Sequence, residues 1–221
     1  VLAEAVGVAL VLAVALGLST RERPDEYDWA AFRRAQGRVW LLGAGVLVWV
    51  VAVEGAGLAS LNHPPVVSFA WSAALAFVAI GVTGIATGLV MRRTEHGIDP
   101  ATRALLELPK SRAFVLVVST GIAEELVFRG FVLPRVAALT GSEVAAVAAS
   151  AVGFAAFRAA GLDRAQVAQV AVLGAAIAAA FAYTGNVLAV VAARVGYDAL
   201  TLLSADPDDL PDAALDEPPN E

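Results

Sequence analysis

Residues 113–133 read AFVLVVSTGIAEELVFRGFVL, an almost unbroken apolar run with three charges, Glu124, Glu125 and Arg129, in its second half. A run of that length matches the roughly 20 residues of one helical bilayer crossing. An ionised side chain at such depth costs roughly 2.5 to 3.5 kcal/mol on insertion scales, so each demands a reason. On a helix, Gly121, Glu124, Glu125, Phe128 and Arg129 share a face about 140° wide. Glu125 and Arg129 stand at i and i+4 with the acid toward the N-terminus, the favourable order for pairing. Glu124 is then expected to be the freer carboxylate.

The rest of the 221-residue chain repeats the pattern. It is 59% hydrophobic and 16% charged, with a mean hydropathy of +0.73, too apolar for a soluble domain of this size. Apolar segments at about 1–19, 39–61, 65–91, 113–133, 144–162, 165–183 and 186–203 predict an all-α, polytopic membrane bundle of seven spans. The first segment lacks a basic n-region, carries Glu4 and shows no convincing small-residue cleavage site, so a retained span is expected rather than a signal peptide. Three parts follow: 1–112, three spans with basic loops; 113–204, a four-span core; and 205–221, an acidic tail expected to be disordered. That tail holds seven of the 21 acids and no base, so the net charge of −6 is local and nucleic acid is not an expected partner. Fourteen arginines against one lysine, with abundant Ala, Val and Asp, suggest a GC-rich genome and a salt-loving archaeal source.

Lys and Arg sit in alternate loops. Arg21, Arg23, Arg33, Arg34 and Arg38 fall in the first; Arg92, Arg93, Arg103, Lys110 and Arg112 in or beside the third; Arg164 in the fifth; the others hold only Arg135. The positive-inside rule then puts loops one, three and five and the acidic tail in the cytoplasm and the N-terminus outside. A short interfacial helix is expected at 100–108. Gly84-x-x-x-Gly88 and the small residues after Gly174 are read as close helix packing.

Three further intramembrane charges join the first three: Arg158 in span five, and Arg194 and Asp198 in span seven. By helical rise, Glu124 lies roughly 16 Å from one end of its span and Arg194 roughly 12 Å from the opposite end of its own, depths that nearly coincide. Six mutually paired charges fixing helix register are the bland reading; a functional site is the default for ionisable groups at depth. Glu4, Glu54 and Glu143, near span ends, are assigned no role. With no cysteine, disulfides and thiolate chemistry are excluded.

The order of motifs is more specific than the charges. Glu124-Glu125-Leu-Val-Phe-Arg129-Gly130, then Phe154-Ala-Ala-Phe-Arg158, then Arg194-Val-Gly-Tyr-Asp198, resembles the CPBP family (CAAX proteases and bacteriocin-processing enzymes, also called Abi), whose pattern is E-E-x-x-x-R, F-x-x-x-H and H-x-x-x-N/D. The resemblance covers about 113–203. It implies a multi-helix intramembrane endopeptidase acting on hydrophobic, membrane-tethered or lipidated protein substrates. By position, Glu124 would activate water, Glu125 and Arg129 would organise the helix, and Asp198 would fill the last polar position.

Both family histidines are arginine here, Arg158 and Arg194. Arginine has five donors and no acceptor, so it neither ligates a metal nor takes a proton; no metal and no cofactor are expected. His63 and His96 fall in predicted loops. Arg194 is suited to polarise a carbonyl and hold an oxyanion, whereas Arg158, if it approaches Glu124, pairs with the carboxylate that must deprotonate water. The readings are thus an altered glutamic endopeptidase, an inactive relative that binds hydrophobic or lipidated segments, and, third, an ion or proton transporter. A site-two-type metalloprotease needs H-E-x-x-H, a rhomboid-like enzyme a Ser and His pair at depth, and an aspartyl enzyme two deep Asp; none of these patterns is present.

Overall fold

The computed structural model describes residues 1–19, 27–61, 68–93 and 100–205. His63, His96 and all but the first residue of the acidic tail lie outside the described residues. Helices follow one another as α1 (Leu2–Ser19), α2 (Trp29–Val48), α3 (Phe69–Arg93), α4 (Pro100–Glu107), α5 (Lys110–Glu125), α6 (Leu133–Thr140), α7 (Glu143–Arg158), α8 (Arg164–Thr184) and α9 (Val187–Ser204), and no strand occurs among the described residues. Each expected span falls on a helical stretch, so the chain is an all-α membrane bundle. Among the described residues, four stretches, Trp29–Val53, Phe69–Met91, Arg164–Thr184 and Val187–Ser204, are long and apolar enough to cross a bilayer, and the apolar Leu2–Leu18 is shorter. The short helix expected at 100–108 is α4.

Local chemistry sets the helix ends. Asp28 caps α2 by accepting the Ala31 N–H at 2.7 Å, so this helix begins about ten residues before the apolar run. Arg33, Arg34 and Arg38, expected in a loop, therefore lie on α2. Asp163 and Gln166 form a reciprocal capping box at the start of α8. Gly185 ends α8 in the left-handed conformation at φ +67°, and Asn186 next to it caps α9 through the Ala189 N–H at 3.1 Å. Two residues thus turn α8 into α9.

The stretch from Lys110 to Thr140 is one long helical path, α5 continuing through a π-helical segment, Leu126–Val132, into α6. Pro134 has no N–H, so the Gly130 carbonyl loses its ordinary helical donor; Arg135 Nη1 donates to it at 3.4 Å instead. In the widened turn the Phe128 carbonyl accepts the Leu133 N–H and also the Ser150 hydroxyl of α7 at 2.9 Å. Arg135, expected in a loop, is a buried helical residue.

Helices from the two ends of the chain interleave. α7 packs on α8, α3 lies along α8 and α9, α5 along α9, α2 along α5, and α1 leans on α7 and α6 while touching α2 only sparsely. Gly84 faces Tyr197 across the α3–α9 seam, and Gly121 lets α9 approach α5 so closely that an added Cβ would stand 3.3 Å from Val195 Cγ2. Lys110 donates to the Leu202 and Ala205 carbonyls, each at 2.9 Å, and Arg112 stacks over Trp29 at 5.3 Å. Those contacts gather the starts of α2 and α5 and the end of α9 at one end of the bundle.

Candidate active site

Three of the six charged residues singled out by the sequence, the arginines, converge on one aromatic ring, and the three acids pair with them. Phe154 of α7 is buried, and the guanidinium carbons of Arg129, Arg158 and Arg194 lie 4.6, 5.6 and 5.8 Å from its centroid, where the ring's negative face attracts cations. Phe128 packs edge-on against the same ring at 5.7 Å. The sequence used Phe154 only as a motif letter; its aromatic type four residues before Arg158 on one helix face was the available signal.

Three acids answer the three arginines. Glu125 Oε1 accepts from Arg129 Nη1 at 3.3 Å, the i,i+4 pair read from the sequence, and Arg129 Nη2 also donates to the Gly174 carbonyl at 2.9 Å. Gly174 makes that reach possible, because a Cβ there would stand 2.9 Å from Phe154 Cδ1. Arg194 Nε donates to Asp198 Oδ2 at 2.6 Å, again i,i+4. Arg158 Nε and Nη2 donate to Glu124 Oε1 and Oε2 at 2.8 and 2.6 Å, a bidentate fork that suits a planar guanidinium.

Glu124 is therefore not the freer carboxylate. Both of its oxygens are engaged, whereas Glu125 Oε2 is buried without a partner, as are Arg129 Nε and Arg194 Nη1. Exposure is equally uneven: the Glu124 side chain is 2% exposed and its partner Arg158 is 37% exposed. One side of the fork is buried in protein and the other reaches the surface. Arg194 lies within the field of Glu124 and Glu125 yet bonds neither carboxylate. Among the described residues, no three His, Asp or Glu side chains converge as a metal site.

A second ionic cluster went unread. Arg135 Nε and Nη2 donate to Glu54 Oε1 and Oε2 at 3.0 and 2.5 Å, and Arg135 lies over the Phe131 ring at 4.3 Å. Glu54 is not a solvent-reaching end residue but a buried partner, 8% exposed. Its pairing joins the turn after Trp49–Val53, the π-helical continuation of α2, to the start of α6.

Residues 108–200 match a protein-family model described as type II CAAX prenyl endopeptidase, Rce1-like. No curated protein and no solved structure matches the chain.

Proposed function

We propose, from the match of residues 108–200 to that family model, that this chain is of the CAAX-protease (CPBP) type, a multi-pass membrane endopeptidase of glutamic type that cleaves membrane-associated, lipidated peptides. The chemistry is assigned to the stretch 113–204, with the three expected spans before it as its membrane setting. Water attacks the scissile carbonyl while Glu124 takes its proton; Glu124 then returns that proton to the departing amine. Arg194 donates Nη1 to the oxyanion. The observation that carries this reading is that buried Nη1, a charged donor without an acceptor beside an intramembrane carboxylate. Glu125 and Arg129 hold α5 and α8 in register, and Asp198 aims Arg194. Arg158 acts as a latch, and its exposed side chain must leave Glu124 before water can be activated.

The basic loops and the acidic tail are assigned to the cytoplasm, with the N-terminus outside. The clustering of Lys110, Arg112, Trp29 and Ala205 at one end of the bundle supports that assignment.

One observation favours a second reading. A carboxylate with both oxygens in a bidentate fork is suited to structure more than to proton transfer, as in a binder of lipidated segments that has lost hydrolysis. Cleavage of a panel of lipidated and membrane-tethered peptides separates the two, run with Glu124→Gln and with the double reversion Arg158→His, Arg194→His. Cleavage by the parent chain and none by Glu124→Gln is the expected result. Cleavage by the reversion alone would replace the enzyme with the binder, and wild-type rates in Glu124→Gln would refute the general base.

A further inference from the structure

Away from the charged cluster, α1 and α2 diverge and leave a lateral groove of about 480 Å³ between them. Its walls include Val11, Val14 and Leu18 from α1 and Leu42 and Gly45 from α2, with Trp49 among its lining residues at the far end from Arg38 along α2. The spacings i, i+3, i+4 and i+7 explain why these side chains share a face on each helix. The groove exists because α1 leans on α7 and α6 instead of α2. Gly45 widens it: an added Cβ there meets nothing within 4 Å.

Among the described residues, Arg38 is the one charged residue lining it. One turn earlier on the same face stands Arg34, and Arg33 and Arg34 line a neighbouring depression of about 350 Å³. None of the three has an acid partner among the described residues. From Arg38 to Trp49 the helix rises about 16 Å, close to half of the roughly 30 Å hydrocarbon core. An apolar channel one leaflet deep, with cations at its mouth that have no acid partner among the described residues, is complementary to an amphiphile with an anionic head.

We propose that this groove is a binding site for an anionic phospholipid, one tail lying between α1 and α2 and the phosphate on Arg34 and Arg38. Zwitterionic lipid offers the same tail but a head with no net charge. Lipid contributes nothing to the hydrolytic steps above, so the site stands independently of them.

The test is lipid retention by the purified full chain, read by native mass spectrometry, with phosphatidylglycerol and phosphatidylcholine of identical tails and with glycerophosphoglycerol, the headgroup alone. At about 1 kcal/mol for each basic residue near a charged surface, the Arg34→Gln, Arg38→Gln double variant should hold phosphatidylglycerol about 30-fold more weakly. Gly45→Phe fills the groove and should lose the lipid with both arginines intact, and the headgroup alone should not be retained. Equal retention of the two phospholipids, or retention unchanged in either variant, overturns the proposal. Displacement of phosphatidylglycerol by a farnesylated peptide also overturns it, since the groove would then be a substrate track.

Discussion

Replacing Arg129 by alanine removes a cation that is fully enclosed by protein. It leaves Glu125 buried without its hydrogen-bonded partner, takes the donor from the Gly174 carbonyl, and strips a guanidinium from the Phe154 face 4.6 Å away. Breaking a buried pair by removing one partner costs about 3 to 5 kcal/mol, because the remaining charge keeps its desolvation penalty without compensation. For a chain of this size each kcal/mol lowers the melting temperature by roughly 2 to 4 °C, so Arg129→Ala should melt about 6 to 20 °C lower in detergent. The informative control is the double variant Glu125→Leu, Arg129→Met. Removing both charges for apolar groups of similar volume should restore most of the loss, whereas two independent contacts would add. Thermal unfolding followed by tryptophan fluorescence measures the parent chain, Arg129→Ala, the single variants Glu125→Leu and Arg129→Met, and the double variant, the four tryptophans being left untouched. An unchanged melting temperature in Arg129→Ala, or a double variant as unstable as the sum of the singles, would refute the argument that this pair is held by mutual compensation.

Arg135→Ala should cost a similar amount, about 3 to 5 kcal/mol, by stranding the buried Glu54; a loss under 1 kcal/mol in the same assay would mean that Glu54 finds water. Gly174→Val forces a side chain onto the Phe154 ring and should destabilise by about 1 to 3 kcal/mol through overpacking, and a neutral outcome would mean that α8 can slide without penalty. Ser150→Ala deletes one hydrogen bond to a carbonyl that already has a backbone donor, so a loss of only about 1 kcal/mol is expected; a much larger one would show that the hydroxyl holds the π-helical turn open. In a peptidase assay, Arg158→Gln should raise the rate if the exposed guanidinium is a latch on Glu124, and an unchanged rate would exclude that role.

What the sequence revealed depended on how far apart the partners stand along the chain. Glu125 and Arg129 are one turn apart, and helical periodicity alone joins them. Arg158 sits 34 positions from Glu124, and nothing in local periodicity fixes how α7 rotates against α5, so the fork was conditional and Glu124 was read as the freer acid. Arg194 was matched to Glu124 by depth, yet its own helix offered Asp198 one turn on, and that nearer acid took it. Arg135 and Glu54 were misread for a different reason. Pro134 reads as the end of a helix, but after a π-helical turn it falls in the first turn of α6, where its missing N–H is tolerated. The start of the second span was misplaced similarly, because hydropathy follows composition while α2 starts where Asp28 caps it.

The lean of α1 on α7 also bears on biogenesis. Its main neighbours, α6 and α7, are synthesised more than a hundred residues after it. At roughly 5 to 20 residues per second, α1 waits on the order of ten seconds in the bilayer before the surface that covers Val8, Val11 and Ala15 exists. During that interval its eventual inner face is solvated by lipid tails or guarded by the insertion machinery. The bundle is therefore sealed from its two ends inward, and a ribosome stalled before α7 would leave the first helix without its seat.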